Sequence, residues 1–163
     1  MRDKSTSPGR EAWDAVRASE IVGALKATDG AMLPILHAIQ AAFGCIPEAA
    51  EPLIAEHLNL TRAEVHGVVT FYHDFRREPA GRHVLKLCRA EACQSMGSDA
   101  LVAQLEKSLG VRCGETSADG SVTLEAVYCL GLCAVAPSAM LDGAVVGRLN
   151  ERKLDALITE AKR

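Results

Sequence analysis

HVLKLCRAEAC, residues 83–93, decides the fold once it is set beside VTLEAVYCLGLC, residues 122–133. Each opens as a short β-prone run and closes on a cysteine, with a second cysteine shortly after. The spacing is C-x4-C at Cys88 and Cys93, a gap of 35 residues, then C-x3-C at Cys129 and Cys133. Between the two runs Leu101, Val102, Leu105 and Leu109 share one face of a helix that Ser98 is expected to cap and Gly110 to end. Asp119-Gly120 then turns the chain into the second strand.

Beyond the cysteines, residues 138–141, Asp142-Gly143 and residues 144–149 read as a hairpin with a DG turn. Asn150 caps a last helix bearing Leu154, Leu157 and Ile158. The order is therefore β-α-β-β-β-α. The first strand–helix–strand unit is expected to be a right-handed crossover joining parallel strands. That is the order of a thioredoxin-like core in which the loop Cys129–Pro137 replaces the middle helix. Parallel strands would bring both cysteine pairs to one sheet edge, where ligands sit in such sheets.

Upstream, the pattern is helical. Asp14 is placed to cap a first helix with Ile21, Val22 and Leu25 on one face. A second has Pro34 in its first turn and Gly44 as its stop. A third runs to about Leu58, with Pro52 marking either its start or a kink. Thr61-Arg62-Ala63-Glu64 is a capping box. Val65, Val68, Val69, Tyr72 and Phe75 follow at helical spacing. Helices this short, each apolar on one side, must bury those faces together. Arg76–Arg82 holds Pro79 and Gly81 without periodicity and reads as a boundary. The expectation is an α+β protein: a flexible tail at 1–12, a small helical bundle at 13–77, and a thioredoxin-like α/β domain at 82–163.

Composition excludes several classes. The 163 residues are 48% hydrophobic and 24% charged with net charge −3, ordinary for a folded soluble protein. Charges are mixed, so no basic patch points to nucleic acid. The first residues lack an apolar signal-peptide core, and no run approaches the ~18 apolar residues of a membrane span. The chain is expected to be cytoplasmic. There, clustered cysteines bind metal or do redox chemistry more often than they form disulfides.

Structural zinc is usually held by tight C-x2-C pairs. Spacers of four and three residues suit a larger object, and plant-type [2Fe–2S] ferredoxins also open with C-x4-C. Ala90, Ala92, Gly97, Gly131, Ala134 and Ala136 let backbone N–H groups approach the sulfurs. The stretch Ala126–Leu141 carries no charge. The expected metal ligands are thus Cys88, Cys93, Cys129 and Cys133, holding one [2Fe–2S] cluster. A zinc-stabilised interaction module is the alternative, and a dithiol oxidoreductase a third reading. Arg89 either offsets cluster charge or faces solvent. Cys45 and Cys113 have no second cysteine at ligand spacing and read as incidental thiols. His66 and His73 lie near one helical face and read as packing, capping or contact residues. His37 and His57 read as surface histidines. His83 opens a strand and is expected to have no acid or nucleophile beside it. No G-x-S-x-G, H-E-x-x-H, P-loop or G-x-G-x-x-G is present, so no catalytic residue is assigned and nucleotides are expected elsewhere.

LPILHAIQAAFGCIPEAA, LNLTRAEVHGVVTFYHDFR, CRAEACQSMG, ETSADGSVTLE and YCLGLCAVAPS together resemble the thioredoxin-like [2Fe–2S] family. It includes the 24-kDa-type subunit of NADH dehydrogenase and the small diaphorase subunits of NAD-reducing hydrogenases and formate dehydrogenases. HGVVTFYHDFRREPAGRHVLKLCRAEACQS resembles most closely the gamma subunit of soluble, molybdenum-containing, NAD-dependent formate dehydrogenases. Cys45 stands where relatives often carry an aromatic residue. The resemblance implies an electron-transfer subunit with no substrate site of its own. It implies a flavoprotein partner binding FMN and NAD, and a large subunit with further Fe–S clusters and the molybdenum cofactor.

Overall fold

The structure, a computed structural model, describes residues 11–162. Most of the expected tail therefore lies outside the described residues. The chain divides between Pro79 and Ala80 into two compact units.

The first unit comprises α1 (Ala15–Leu25), α2 (Met32–Phe43), α3 (Ala50–Leu58) and α4 (Arg62–Phe71). The Asp14 carboxylate accepts from the Val16 N–H at 2.8 Å and from the Arg17 N–H, relieving two otherwise unpaired first-turn donors. Gly44 ends α2 at φ +80°, a conformation that costs a residue without Cβ little. Pro52 neither starts nor kinks α3. It is the third helical residue, inside the first turn, where its missing N–H has no intrahelical partner to lose. The capping box forms: Glu64 Oε2 accepts from the Thr61 N–H at 2.8 Å, and Thr61 Oγ1 from the Glu64 N–H at 3.2 Å. Val22, Ile35, Leu36, Ile39, Ile54 and Val65 are fully buried and make the core. Each buried aliphatic side chain contributes about 1.5–3 kcal/mol.

One expectation fails here. Tyr72 and Phe75 are not on α4, which ends at Phe71. Tyr72 is extended, and Phe75 turns back through its N–H to the Tyr72 carbonyl and buries its ring. Helical spacing alone does not reveal where the backbone leaves the helix.

The second unit holds β1 (His83–Cys88), α5 (Glu91–Ser95), α6 (Ser98–Leu109), β2 (Val122–Val127), β3 (Ala139–Leu141), β4 (Ala144–Val146) and α7 (Glu151–Ala161). The sheet order is β2-β1-β3-β4, with β1 and β2 parallel and the remaining pairs antiparallel. With α1–α4 this is an α+β chain. Leu85, Leu87, Leu105, Leu124 and Leu154 fill the core between the sheet and α6 and α7.

Four details differ from the sequence reading. The short α5, which carries Cys93, has no periodic signal because it is barely longer than one turn. Ser98 does not cap α6. It is already the first helical residue, Gly97 at φ +87° holds the cap position, and the buried Ser98 hydroxyl has no hydrogen-bond partner among the described residues. β4 stops at Val146 rather than Leu149, and the next residue, Gly147, packs against Val135, where a Cβ would fall 2.5 Å from Val135 Cγ2. His83 does have an acid beside it: Asp142 Oδ2 lies 2.6 Å from His83 Nδ1, while Oδ1 accepts from the Val84 N–H at 2.7 Å. Asp142 and Gly143 both take positive φ, as a two-residue hairpin requires.

Candidate metal centre

The parallel register sets the geometry. Cys88, the last residue of β1, pairs with Val127, the last of β2. Cys129 follows two residues later, so both cysteine pairs start from one sheet edge. α5 then carries Cys93 back towards Cys88, and Cys133 opens a 3-10 turn, Cys133–Val135. The strands are tied at this edge by Cys88 N–H to the Ser138 carbonyl (3.0 Å) and Arg89 N–H to the Val127 carbonyl (2.8 Å).

The sulfurs collect donors. The backbone N–H groups of Ala90, Leu130 and Cys129 and the Cys93 thiol lie near enough to the Cys88 sulfur to favour its thiolate. Burial pushes the Cys88 thiol up, but these donors outweigh it and hold its pKa below the usual thiol value. Cys129 and Leu130 offer successive N–H groups to one sulfur, the arrangement of an anion-binding nest. It is reached through a Cys129 φ of +110°, where residues with a Cβ rarely sit. Cys129 Sγ in turn accepts from the Gly131 N–H at 3.3 Å.

Cys129 Sγ and Cys133 Sγ lie 3.7 Å apart. Two thiolates on one tetrahedral ion with bonds of about 2.3 Å stand about 3.8 Å apart, so this pair is already spaced to share a metal. Cys133 is pushed up, first by its hydrogen bond with Cys129 and the charge there, then by desolvation and by Cys93 and Cys88. None of the six cysteines is in a disulfide. Among the described residues no three His, Cys, Asp or Glu side chains close on a single ion. The thiols stand as two pairs, Cys88 with Cys93 in the interior and Cys129 with Cys133 at the surface. This donor set, soft thiols fed by N–H groups, fits a negatively charged iron–sulfur cluster.

Other residues fall into place around it. Arg89 does not point freely to solvent: its Nη2 pairs with Asp99 Oδ1 at 3.1 Å. Cys113 lies near enough to Arg89 to feel its charge, yet burial dominates and raises its pKa. Cys45 is buried. His57 Nε2 meets Ser19 Oγ at 2.9 Å, and the His37 ring packs on Phe75. Two residues escaped the sequence reading. Ser138, buried, places its hydroxyl 3.6 Å from Cys93 Sγ. Its only signal was a polar residue inside the charge-free stretch. Glu51, fully buried, is a hub: Oε2 takes Arg62 Nε at 3.2 Å, and Oε1 takes His66 Nδ1 at 3.0 Å and also Arg77. An acid in the first turn of an apolar helix is its signal.

Residues 18–162 match the family of thioredoxin-like [2Fe–2S] ferredoxins. The chain belongs to that family. Among curated relatives it is 39% identical over 112 residues to a subunit of the NADH-quinone oxidoreductase of Pseudomonas aeruginosa, covering 69% of this chain and 68% of that one. It is 40% identical to the corresponding NADH-quinone oxidoreductase subunit of Rhizobium meliloti, covering 78% and 76%. It is 28% identical to the NADP-reducing hydrogenase subunit HndA of Solidesulfovibrio fructosivorans, covering 86% and 82%. A solved NAD+-reducing [NiFe]-hydrogenase in its H2-reduced state superposes with a TM-score of 0.70 at 24% identity, a likeness of fold. That match covers 80% of this chain and only 22% of the hydrogenase chain.

As a [2Fe–2S] ferredoxin of this family the chain has its cofactor class settled. No helix among the described residues is long and apolar enough to cross a membrane.

Proposed function

We propose that Cys88, Cys93, Cys129 and Cys133 hold one [2Fe–2S] cluster, and that this chain is an electron-transfer subunit of an NAD-linked oxidoreductase complex. The observation that carries the reading is the register that pairs Cys88 with Val127, two residues before Cys129, and so brings N–H groups of both cysteine loops near the Cys88 sulfur although 35 residues separate them. Two loops converging on one thiolate are what a shared cofactor needs. The cluster supplies reversible one-electron storage. The chain supplies thiolate ligation, N–H donors to sulfur and partial burial; it needs no acid, base or nucleophile.

The relatives named for NADH-quinone oxidoreductase and NADP-reducing hydrogenase support a place beside a flavoprotein subunit carrying FMN and NAD. They favour the quinone-reducing or hydrogenase type of complex over the formate dehydrogenase type. The formate assignment, with its molybdenum subunit, rests only on residues 66–95 and gains no support from them. The helical unit and the cysteine-bearing unit, divided at Pro79/Ala80, are read as the two domains of one subunit.

Purified protein is expected to be red-brown, with about two iron atoms and two labile sulfides per chain and an EPR signal on dithionite reduction. A colourless protein with one equivalent of zinc overturns the reading. Co-purification then separates the complexes: a membrane arm points to quinone, a nickel–iron pair to hydrogen, a molybdenum subunit to formate.

A further inference from the structure

Ser138 stands at the head of β3, 1% exposed, between Pro137 and Ala139. Its carbonyl accepts from the Cys88 N–H at 3.0 Å, and its hydroxyl lies 3.6 Å from the equally buried Cys93 Sγ. One residue thus touches both members of the interior thiol pair. A buried hydroxyl costs free energy unless it is hydrogen-bonded. An alanine, like its neighbour Ala139, would fill most of the same space without that cost. The sulfur is the partner that answers for the hydroxyl.

Between a thiol and a hydroxyl, either group can donate. A metal-bound cysteine is a thiolate and has no proton to give. On ligation the direction is therefore fixed, with Ser138 O–H donating to Cys93 S⁻. Such a donor stabilises negative charge on sulfur, and the reduced cluster carries more of it than the oxidised one. The donors to Cys88 and Cys129 are backbone N–H groups, built into the loops. Ser138 instead uses a side chain that can be exchanged without redrawing the loop.

We propose that Ser138 is a potential-setting residue, whose hydroxyl donates to the Cys93 thiolate and raises the reduction potential of the cluster. This rests on the reading that Cys93 is a ligand, and the experiment keeps the two apart. The full-length wild type, Ser138→Ala and Ser138→Thr proteins are first assayed for iron and labile sulfide. A wild type without a cluster overturns the ligand reading and this proposal with it. The loaded proteins are then titrated potentiometrically and followed by EPR. The expected result is a lower midpoint in Ser138→Ala, of the order of the 59 mV that equals a tenfold change in a one-electron equilibrium, with Ser138→Thr close to wild type. An unchanged midpoint in loaded Ser138→Ala overturns the proposal and leaves the ligand set standing. If Ser138→Ala does not load, Ser138→Gly makes the same comparison. Failure of both to load makes the role purely structural and also overturns it.

Discussion

Cys88 and Val127 sit opposite one another as the last pair of the parallel β1–β2 ladder. Cysteines far apart in sequence therefore leave the sheet at one edge, and Cys129 needs only two further residues to reach Cys88. The N–H groups of Cys129 and Leu130 close the approach at the Cys88 sulfur.

Alanine at Cys88, Cys93, Cys129 or Cys133 is expected to abolish iron retention, each removing one of a pair of sulfurs. Cys45→Ala and Cys113→Ala, placed outside the pairs, should keep the visible spectrum of the wild type. Absorbance with iron and sulfide assays decides this. An intact spectrum in Cys129→Ala would show that the ligand set is wrong.

Gly147→Ala should loosen the second ligand pair from behind. The added Cβ would meet Val135 Cγ2 at 2.5 Å, and Val135 closes the turn that begins at Cys133. Overpacking of this kind costs about 1–3 kcal/mol. The expected result is a lower melting temperature together with faster iron loss to a chelator. Equal chelation rates in variant and wild type would refute the link between this packing and the thiol pair.

Glu51 predicts an acid-sensitive helical unit. Burial pushes its pKa up, but hydrogen bonds from His66, Arg77 and Arg62 outweigh that and hold it below the usual carboxylate value of 4.5. A carboxyl whose folded pKa is depressed contributes stability that is present above the unfolded pKa. That contribution fades as pH falls from about 4.5 through the lower folded value. Glu51→Gln should lose stability near neutrality and show a flatter decline below pH 4.5. Removing one partner of a buried pair costs about 3–5 kcal/mol. Less is expected here, because Arg62 and Arg77 are partly exposed and can regain water. Denaturant unfolding at pH 7 and pH 4 checks both arms.

Asp142→Ala should weaken the β3–β4 hairpin. It removes acceptors for the Val84 N–H and His83, and it leaves alanine at φ +48°. Asp142→Gly restores the backbone freedom but not the hydrogen bonds, so it should recover only part of the loss. Hydrogen exchange at the Val84 amide reads the difference, and equal protection in all three proteins would contradict it.

Much of this was legible along the chain. Caps at Asp14, Thr61 and Asn150, the stop at Gly44, the β-α-β-β-β-α order and the cysteine spacing depend on residues within a turn or two of each other. Such interactions are written locally, so sequence periodicity and capping chemistry determine them. Where the periodic reading failed, at Tyr72 and Phe75, a local backbone departure overrode a spacing that still looked helical, and at Ser98 the cap fell one residue earlier, on Gly97. What only the tertiary structure decided are the long-range meetings: Ser138 against Cys93, Glu51 among Arg62, His66 and Arg77, and His83 beside Asp142. Each depends on strand register or helix placement, and a shift of one residue in register turns every side chain to the opposite face. The sequence determined that four thiols would be available in two pairs. The parallel register of β1 and β2 decided that the two loops meet at one of them.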